Sequence, residues 1–248
     1  MEPLVSIVTV SFNSENTIRN TIESILQQTY KNIEYIIVDG TSKDNTLKIV
    51  KEYEFKFKEK GIKYKHISEK DKGIFDAMNK GIKLASGEII GLINSDDWYE
   101  LNTIEKVVKI KKETNFDMLY ADLRILKDGK KVCIKKSKLS KIVSSRTWNH
   151  PTTFVRKEVY REIQYNSDLF SADLDFLLKI RKNKKYKCIV INEVLANFRA
   201  GGVSTSKNFF KTLEVIKHRN KIYKDNGYSC LYYLDNFFIE MAKYILLR

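Results

Sequence analysis

Apolar positions along this chain change period several times, and each change marks an element. Residues 4–10 are a run dominated by β-branched residues that stops at the polar loop Ser11-Phe12-Asn13-Ser14. Runs of this kind suit strands covered on both faces of a parallel sheet. Ile18, Ile22, Ile25 and Leu26 follow at helical spacing, with Asn13 or Ser14 as cap. Residues 33–38 form a second strand ending at Asp39-Gly40, Asp44 caps a helix through Leu47, Ile49, Val50 and Tyr53, and residues 63–67 form a third strand. Ile74, Ala77, Met78, Gly81, Ile82 and Ala85 share one helical face, with Asp76 and Asn79 together on another and Gly87 as the C-terminal stop. Residues 89–94 are then a central strand that runs straight into Asn94-Ser95-Asp96-Asp97.

The second half reads differently. After a helix from about residue 102 to 114, residues 118–126 and 132–136 alternate around Lys127-Asp128-Gly129-Lys130, a hairpin signal. Trp148 to Thr153 is polar and aromatic-flanked, and residues 153–155 are strand-like. Ser171-Ala172-Asp173-Leu174-Asp175 opens a helix through Ile180, residues 186–190 and 194–198 are apolar runs, and Arg199 to Ser204 is a loop. Two helices close the chain; the last sets Leu231, Leu234, Phe238, Met241 and Ile245 in heptad-like register. Strand, polar loop and helix in repetition indicate an α/β fold with a mostly parallel sheet and ligand-sized loops along one edge.

Composition narrows the partners. A hydrophobic share of 43% is that of an ordinary folded protein, but the formal charge of +14 favours anionic partners: nucleotide phosphates, nucleic acid or an acidic membrane face. Three scattered cysteines, Cys133, Cys188 and Cys230, exclude a disulfide framework and a CxxC metal site. No basic-then-apolar leader precedes Leu4, and no segment approaches the ~18 apolar residues of a membrane span, so a cytoplasmic setting is expected. Basic residues crowd the hairpin region from Arg124 to Lys141; that is either a solvated surface or a footing on an acidic acceptor or membrane. The last helix, through residues 231–245, has three readings: core, a homodimer seam, or a surface lying on the inner face of the membrane.

Adjacent carboxylates at a strand's carboxyl end repel, so Asp96 and Asp97 suggest a shared hard cation that itself holds a diphosphate. The alternative is a solvated turn capping the next helix. Asp39 suits a ribose hydroxyl or nucleotide edge, or Asp39-Gly40 is simply a turn. Neither GxGxxG nor GxxxxGK[ST] occurs, which argues against dinucleotide redox enzymes and P-loop NTPases.

Taken together, Ser6 to Asn13, Val38 to Asp44, Glu69 to Gly81 and Asn94-Ser95-Asp96-Asp97 resemble the family 2 glycosyltransferases of GT-A fold, most closely the colanic-acid-type subgroup that builds bacterial surface polysaccharides. The resemblance implies a nucleotide-binding, mostly parallel sheet flanked by helices, a mixed acceptor-side part and C-terminal helices. It implies a donor half at 1–100, an acceptor half at 101–205 and a helical extension at 206–248. By position it places the nucleotide-sugar at Thr9, Ser11, Asn13, Asp39, Asp71, Gly73, Asp76, Asn79, Asn94, Ser95 and Asp96. Asp96 matches the metal-binding aspartate, Asp97 lies beside it, and the first position of the family's DxD motif is here the neutral Asn94. The implied cofactor is Mg²⁺ or Mn²⁺. Asp173 matches the catalytic base, with Asp175 as fallback; His150, Gly201, Gly202 and Ser204 fall on the acceptor side.

The implied reaction is a single inverting displacement from a nucleotide-sugar, expected to be a UDP-sugar, onto a hydroxyl of a saccharide or lipid-linked saccharide. A helix N-terminus favours the ionised form that a base needs. The competing readings are a sugar nucleotidyltransferase, which normally carries a glycine- and arginine-rich triphosphate loop absent from residues 9–13, and a basic nucleic-acid binder, for which no reading motif exists.

Overall fold

The computed structural model describes residues 2–127, 129–201 and 209–246. Its elements in chain order are β1 (Val5–Ser11), α1 (Ile18–Leu26), β2 (Ile33–Asp39), α2 (Thr46–Glu52), α3 (Glu54–Glu59), β3 (Lys63–Ser68), α4 (Ile74–Leu84), β4 (Ile89–Asn94), β5 (Trp98–Tyr99), α5 (Thr103–Thr114), β6 (Met118–Lys127), β7 (Lys130–Lys135), β8 (Phe154–Arg156), α6 (Lys157–Glu162), α7 (Ala172–Lys182), β9 (Cys188–Arg199), α8 (Phe209–Asp225) and α9 (Leu231–Leu246). One sheet runs in the order β3-β2-β1-β4-β8-β6-β9-β5, with β7 added to β6. The β3-β2-β1-β4 portion is parallel throughout; β8 pairs antiparallel with both β4 and β6, while β6 and β9 are parallel.

The hydrophobic run of each central strand is explained by cover on both faces. Ile7, Ile37 and Ile93 pack against α1 and α5, whereas Val8, Val38 and Leu92 pack against Ala77, Met78 and Ile82 of α4. At roughly 1.5–3 kcal/mol for each large aliphatic side chain removed from water, these two layers dominate the stability of the parallel half. Gly81 lets α4 lie down on β1, because a Cβ there would collide with Val8 Cγ1.

Several local expectations are corrected. Gly87 is no left-handed helix stop: α4 ends at Leu84, and Gly87 is needed because a Cβ would come within 2.7 Å of Leu4 O and Ser6 N on β1. The apolar runs at 186–190 and 194–198 belong to a single strand, β9. Its register against β6 jumps from Ile191 to Val194, so Asn192 and Glu193 leave the ladder without ending it. β5 is too short to carry a period and pairs with Ala196 and Asn197. The core reading of the last helix fails: Leu231, Leu234, Phe238 and Ile245 are exposed, and Asn236, Ile239 and Glu240 are the buried side.

Candidate active site

Parallel register aligns Ser11, Asp39 and Ser68 at the carboxyl ends of β1, β2 and β3. Asp39 is buried and accepts four hydrogen bonds: from Ser11 Oγ at 3.2 Å, Ser42 Oγ at 2.5 Å, the Ser42 amide at 3.0 Å and Ser68 Oγ at 2.7 Å. The three edge loops are stitched to one another. The Asn13 amide donates to Ser42 Oγ and the Lys43 amide to Asn13 Oδ1, both at 2.8 Å, with Asn13 in a left-handed conformation at φ 49°. Asp71 accepts from the Gly73 amide at 2.9 Å, and its carboxylate lies so close to Gly40 that a Cβ there would sit 2.5 Å from Oδ2. Asp76 accepts from the Lys72 amide, which fixes the same turn at the start of α4. Loops after β1, β2 and β3 therefore converge on one edge.

Beside them stands the carboxylate corner after β4. Ser95 shares a 2.7 Å hydrogen bond with Ser14, so that Ser14 ties this corner to the first loop instead of capping α1. Asp97 is fully buried; its Oδ1 accepts from the Arg199 amide at 3.2 Å and its Oδ2 has no partner. Burial, then the charge of Asp96, pushes Asp97 well above the usual carboxylate range, against the pull of Arg199. Asp96 is half-buried and is raised by burial, again opposed by Arg199. The Arg199 guanidinium lies over the Trp98 ring at 5.3 Å, and its Nε donates to Asp96 O at 3.5 Å. The helix-cap reading of the aspartates does not hold, since Asn102 occupies the N-cap of α5.

These residues fit a hard divalent cation. The side chains at this corner offer oxygens, and the half-buried Asp96 carboxylate is held in an environment that penalises its charge. Among the described residues no three acidic, histidine or cysteine side chains form a cage. Asp97 is turned inward under Arg199, which leaves Asp96 as the carboxylate within reach of a ligand.

Asp173 occupies the first turn of α7 and makes no hydrogen bond among the described residues. Its charge acts on His150 and Tyr165. His150 Nε2 lies 3.1 Å from Tyr165 Oη; burial lowers the imidazole pKa against the pull of Asp173, and the Tyr165 phenol is raised well above its usual value, chiefly by burial. Tyr165 is held to α4 by a two-point clasp: Asn79 Nδ2 donates to Tyr165 O at 2.7 Å, and the Tyr165 amide donates to Asn79 Oδ1 at 3.2 Å. Phe75 stacks on the same tyrosine at 5.5 Å.

Three of the expected site residues have partners within the fold. Thr9 is fully buried two residues short of the edge, where its hydroxyl accepts from Tyr35 at 3.1 Å. Asn79 engages the Tyr165 backbone with both side-chain ends. Asp175, on the opposite side of α7 from Asp173, is buried between Asn226 and Lys179, each at 2.7 Å, and serves to join α7 to α8. Gly201 is in a left-handed conformation at φ 109°; Gly202 and Ser204 lie outside the described residues. Sequence reasoning missed Tyr165, Ser14 and the role of Arg199. Only Arg199, standing at the end of an apolar run, carried any signal.

Comparison with known proteins bears on the family and the fold. A profile described as glycosyl transferase family 2 matches residues 6–172, more than half of the chain. The chain is 28% identical over 240 residues, 95% of itself and 92% of the relative, to the UDP-Glc:α-D-GlcNAc-diphosphoundecaprenol β-1,3-glucosyltransferase WfgD of Escherichia coli. It is 28% identical over 219 residues, 85% of this chain and 84% of the relative, to a PGL/p-HBAD biosynthesis glycosyltransferase of Mycobacterium tuberculosis. Among solved structures it resembles S. aureus TarS in complex with UDP, with a TM-score of 0.67 at 20% identity over 94% of this chain and 69% of that one. It also resembles the mannosyltransferase PcManGT of Pyrobaculum calidifontis in complex with GDP-Man and Mn²⁺, with a TM-score of 0.69 at 15% identity over 91% of this chain and 64% of that one. Both neighbours share the fold.

Proposed function

The chain belongs to glycosyl transferase family 2, and we propose that it moves a sugar from a UDP-sugar to a hydroxyl of a saccharide carried on a lipid diphosphate. One observation supports this reading above the others. Helix α4 holds the loop Asp71–Asp76 at its start and clasps Tyr165 through Asn79 one turn later, so a donor loop and the surroundings of Asp173 are parts of one rigid unit. The WfgD relative, matched over nearly its whole length, uses a UDP-sugar and an acceptor on diphosphoundecaprenol, and this supports the choice of substrates.

The division of labour we infer follows the chain. Residues 1–100 bind the donor, 101–205 receive the acceptor and supply the base, and 206–248 are a helical extension. Ser11, Asn13 and Asp39 border the nucleoside, and Asp71, Gly73 and Asp76 shape the sugar side; Asp39 gives up one of its four internal hydrogen bonds to take a ligand. Asp173 accepts the proton of the acceptor hydroxyl as that oxygen attacks the anomeric carbon from the face opposite the leaving diphosphate, which inverts the sugar. Burial favours the neutral forms of His150 and Tyr165, which lie within reach of the Asp173 charge. Arg199 lies at the corner where leaving charge accumulates. A Mg²⁺ or Mn²⁺ held by Asp96 would supply further positive charge there. Among the described residues no helix is long and apolar enough to cross a membrane.

Thermal stabilisation by UDP-, GDP- and dTDP-sugars, with and without Mn²⁺, tests the donor assignment. The UDP-sugar is expected to stabilise the protein only with metal, and Asp96→Asn to abolish that dependence. Consumption of nucleoside triphosphate and sugar phosphate with pyrophosphate release would identify a nucleotidyltransferase instead.

A further inference from the structure

Helix α9 is amphipathic in the reverse of the usual sense. A surface helix ordinarily buries its apolar stripe and exposes its charges. Here Leu231, Leu234, Phe238 and Ile245 are 71%, 60%, 61% and 64% exposed, with Phe237 and Ala242 widening the strip. The polar side is turned inward. Asn236 donates to Ile216 O at 3.1 Å and to Asn220 Oδ1 at 2.8 Å, Glu240 pairs with Arg219, and Asp235 lies 3.5 Å from Arg146. Both acidic residues of α9 are thus neutralised against the body, and the outward face presents no carboxylate.

The surroundings of this face are basic. The Tyr232 hydroxyl donates to Lys141 O, which seats the segment 138–146 beside the start of α9. That segment exposes Lys138 and Lys141 together with Leu139 and Ile142, so cations and apolar groups share one surface. Helix α8 adds exposed Lys217, Lys221 and Lys224 against Glu214 and Asp225. With a formal charge of +14 on the chain, a second copy would bring like charges together at this face, whereas an anionic sheet of headgroups gains from them. The strip is also wider than a two-helix seam requires, as an interfacial helix demands.

We propose that the outward face of α9, with Leu139, Ile142, Lys138 and Lys141 beside it, is a docking surface for an anionic lipid bilayer. The same helix reaches the reaction centre. Arg219, which pairs with Glu240, also donates through Nε to Ser171 Oγ at 3.2 Å, and Ser171 is the N-cap of the helix that carries Asp173. Docking α9 therefore fixes the position of Asp173 relative to the headgroups. This purpose rests on the lipid-linked acceptor reading; the docking itself does not.

The test uses the full chain without donor or acceptor, so its outcome is independent of whether transfer occurs. Sedimentation is measured with vesicles of phosphatidylcholine alone and with about one third phosphatidylglycerol, and light scattering gives the oligomeric state. At least ~10-fold more protein is expected on the anionic vesicles, and at least ~10-fold less of the Leu234→Glu/Phe238→Glu variant, since both side chains lose their burial in the interface. Exposed positions leave the fold intact, which unchanged thermal unfolding verifies. No binding of the parent to anionic vesicles, equal binding of the variant, or a dimer that the variant splits would overturn the proposal, the last by assigning the face to a second copy.

Discussion

Glu34 and Asp97 are both buried carboxylates, and the protein treats them in opposite ways. Burial alone would raise Glu34, but hydrogen bonds from Ser6 Oγ at 2.6 Å, the Ser86 amide at 2.7 Å, Lys65 at 2.9 Å and Ser86 Oγ at 3.0 Å reverse this and hold it down at about 2. Asp97 is pushed up by burial and then by Asp96 next door, and its single backbone donor, from Arg199, does not offset them. The first pattern is that of a structural group; the second marks a carboxylate that the fold does not compensate. Because the folded pKa of Glu34 lies below its usual 4.5, its contribution is present above about pH 4.5 and is lost as pH falls from there toward 2. Its size is about 3 kcal/mol. Urea unfolding at pH 7 and pH 3 should show Glu34→Gln less stable than the parent at pH 7, with the gap cut to less than half at pH 3; an equal gap at both would contradict the assignment.

At the scale of elements, what the sequence made legible is what lies contiguous along it. Loops at the ends of β1, β2 and β3 could be placed together because parallel strands end on one edge, and the register of Ser11, Asp39 and Ser68 bears this out. Helical spacing put Asp76 and Asn79 on one face but could not name their partners: Asn79 finds Tyr165, 86 residues away. Alternation likewise left open how deep Thr9 sits, and neighbouring aspartates Asp173 and Asp175 were separable only once α8 was seen to claim Asp175. The clasp gives a sharp expectation. Asn79→Ala leaves the Tyr165 amide and carbonyl without partners, at about 1–3 kcal/mol for each buried group. Stability should fall by about 2 kcal/mol in urea unfolding and kcat with it, while UDP affinity by calorimetry stays within about threefold. A loss confined to UDP affinity would return Asn79 to the donor pocket.

For the whole molecule, one sheet joins a parallel half, where neighbours in sequence are neighbours in space, to a mixed half in which β8, β6 and β9 pair across long separations. Elements of both halves were readable, the hairpin of β6 and β7 and the short strand β8 among them; how β8, β6 and β9 pair was not, because bulges and a three-residue strand carry no register signal. The reversed polarity of α9 was likewise invisible, since a heptad pattern states which residues share a face and not whether that face is covered. What unites the halves is the path from the donor loop through α4 and Tyr165 to the start of α7, and its central claim is that Asp173 is the base. Asp173→Asn keeps the size and the helix start while removing the proton acceptor. Measured side by side with the parent, it should lose about 10²–10⁴-fold in sugar transfer while binding UDP with unchanged affinity; turnover equal to the parent's would contradict the account.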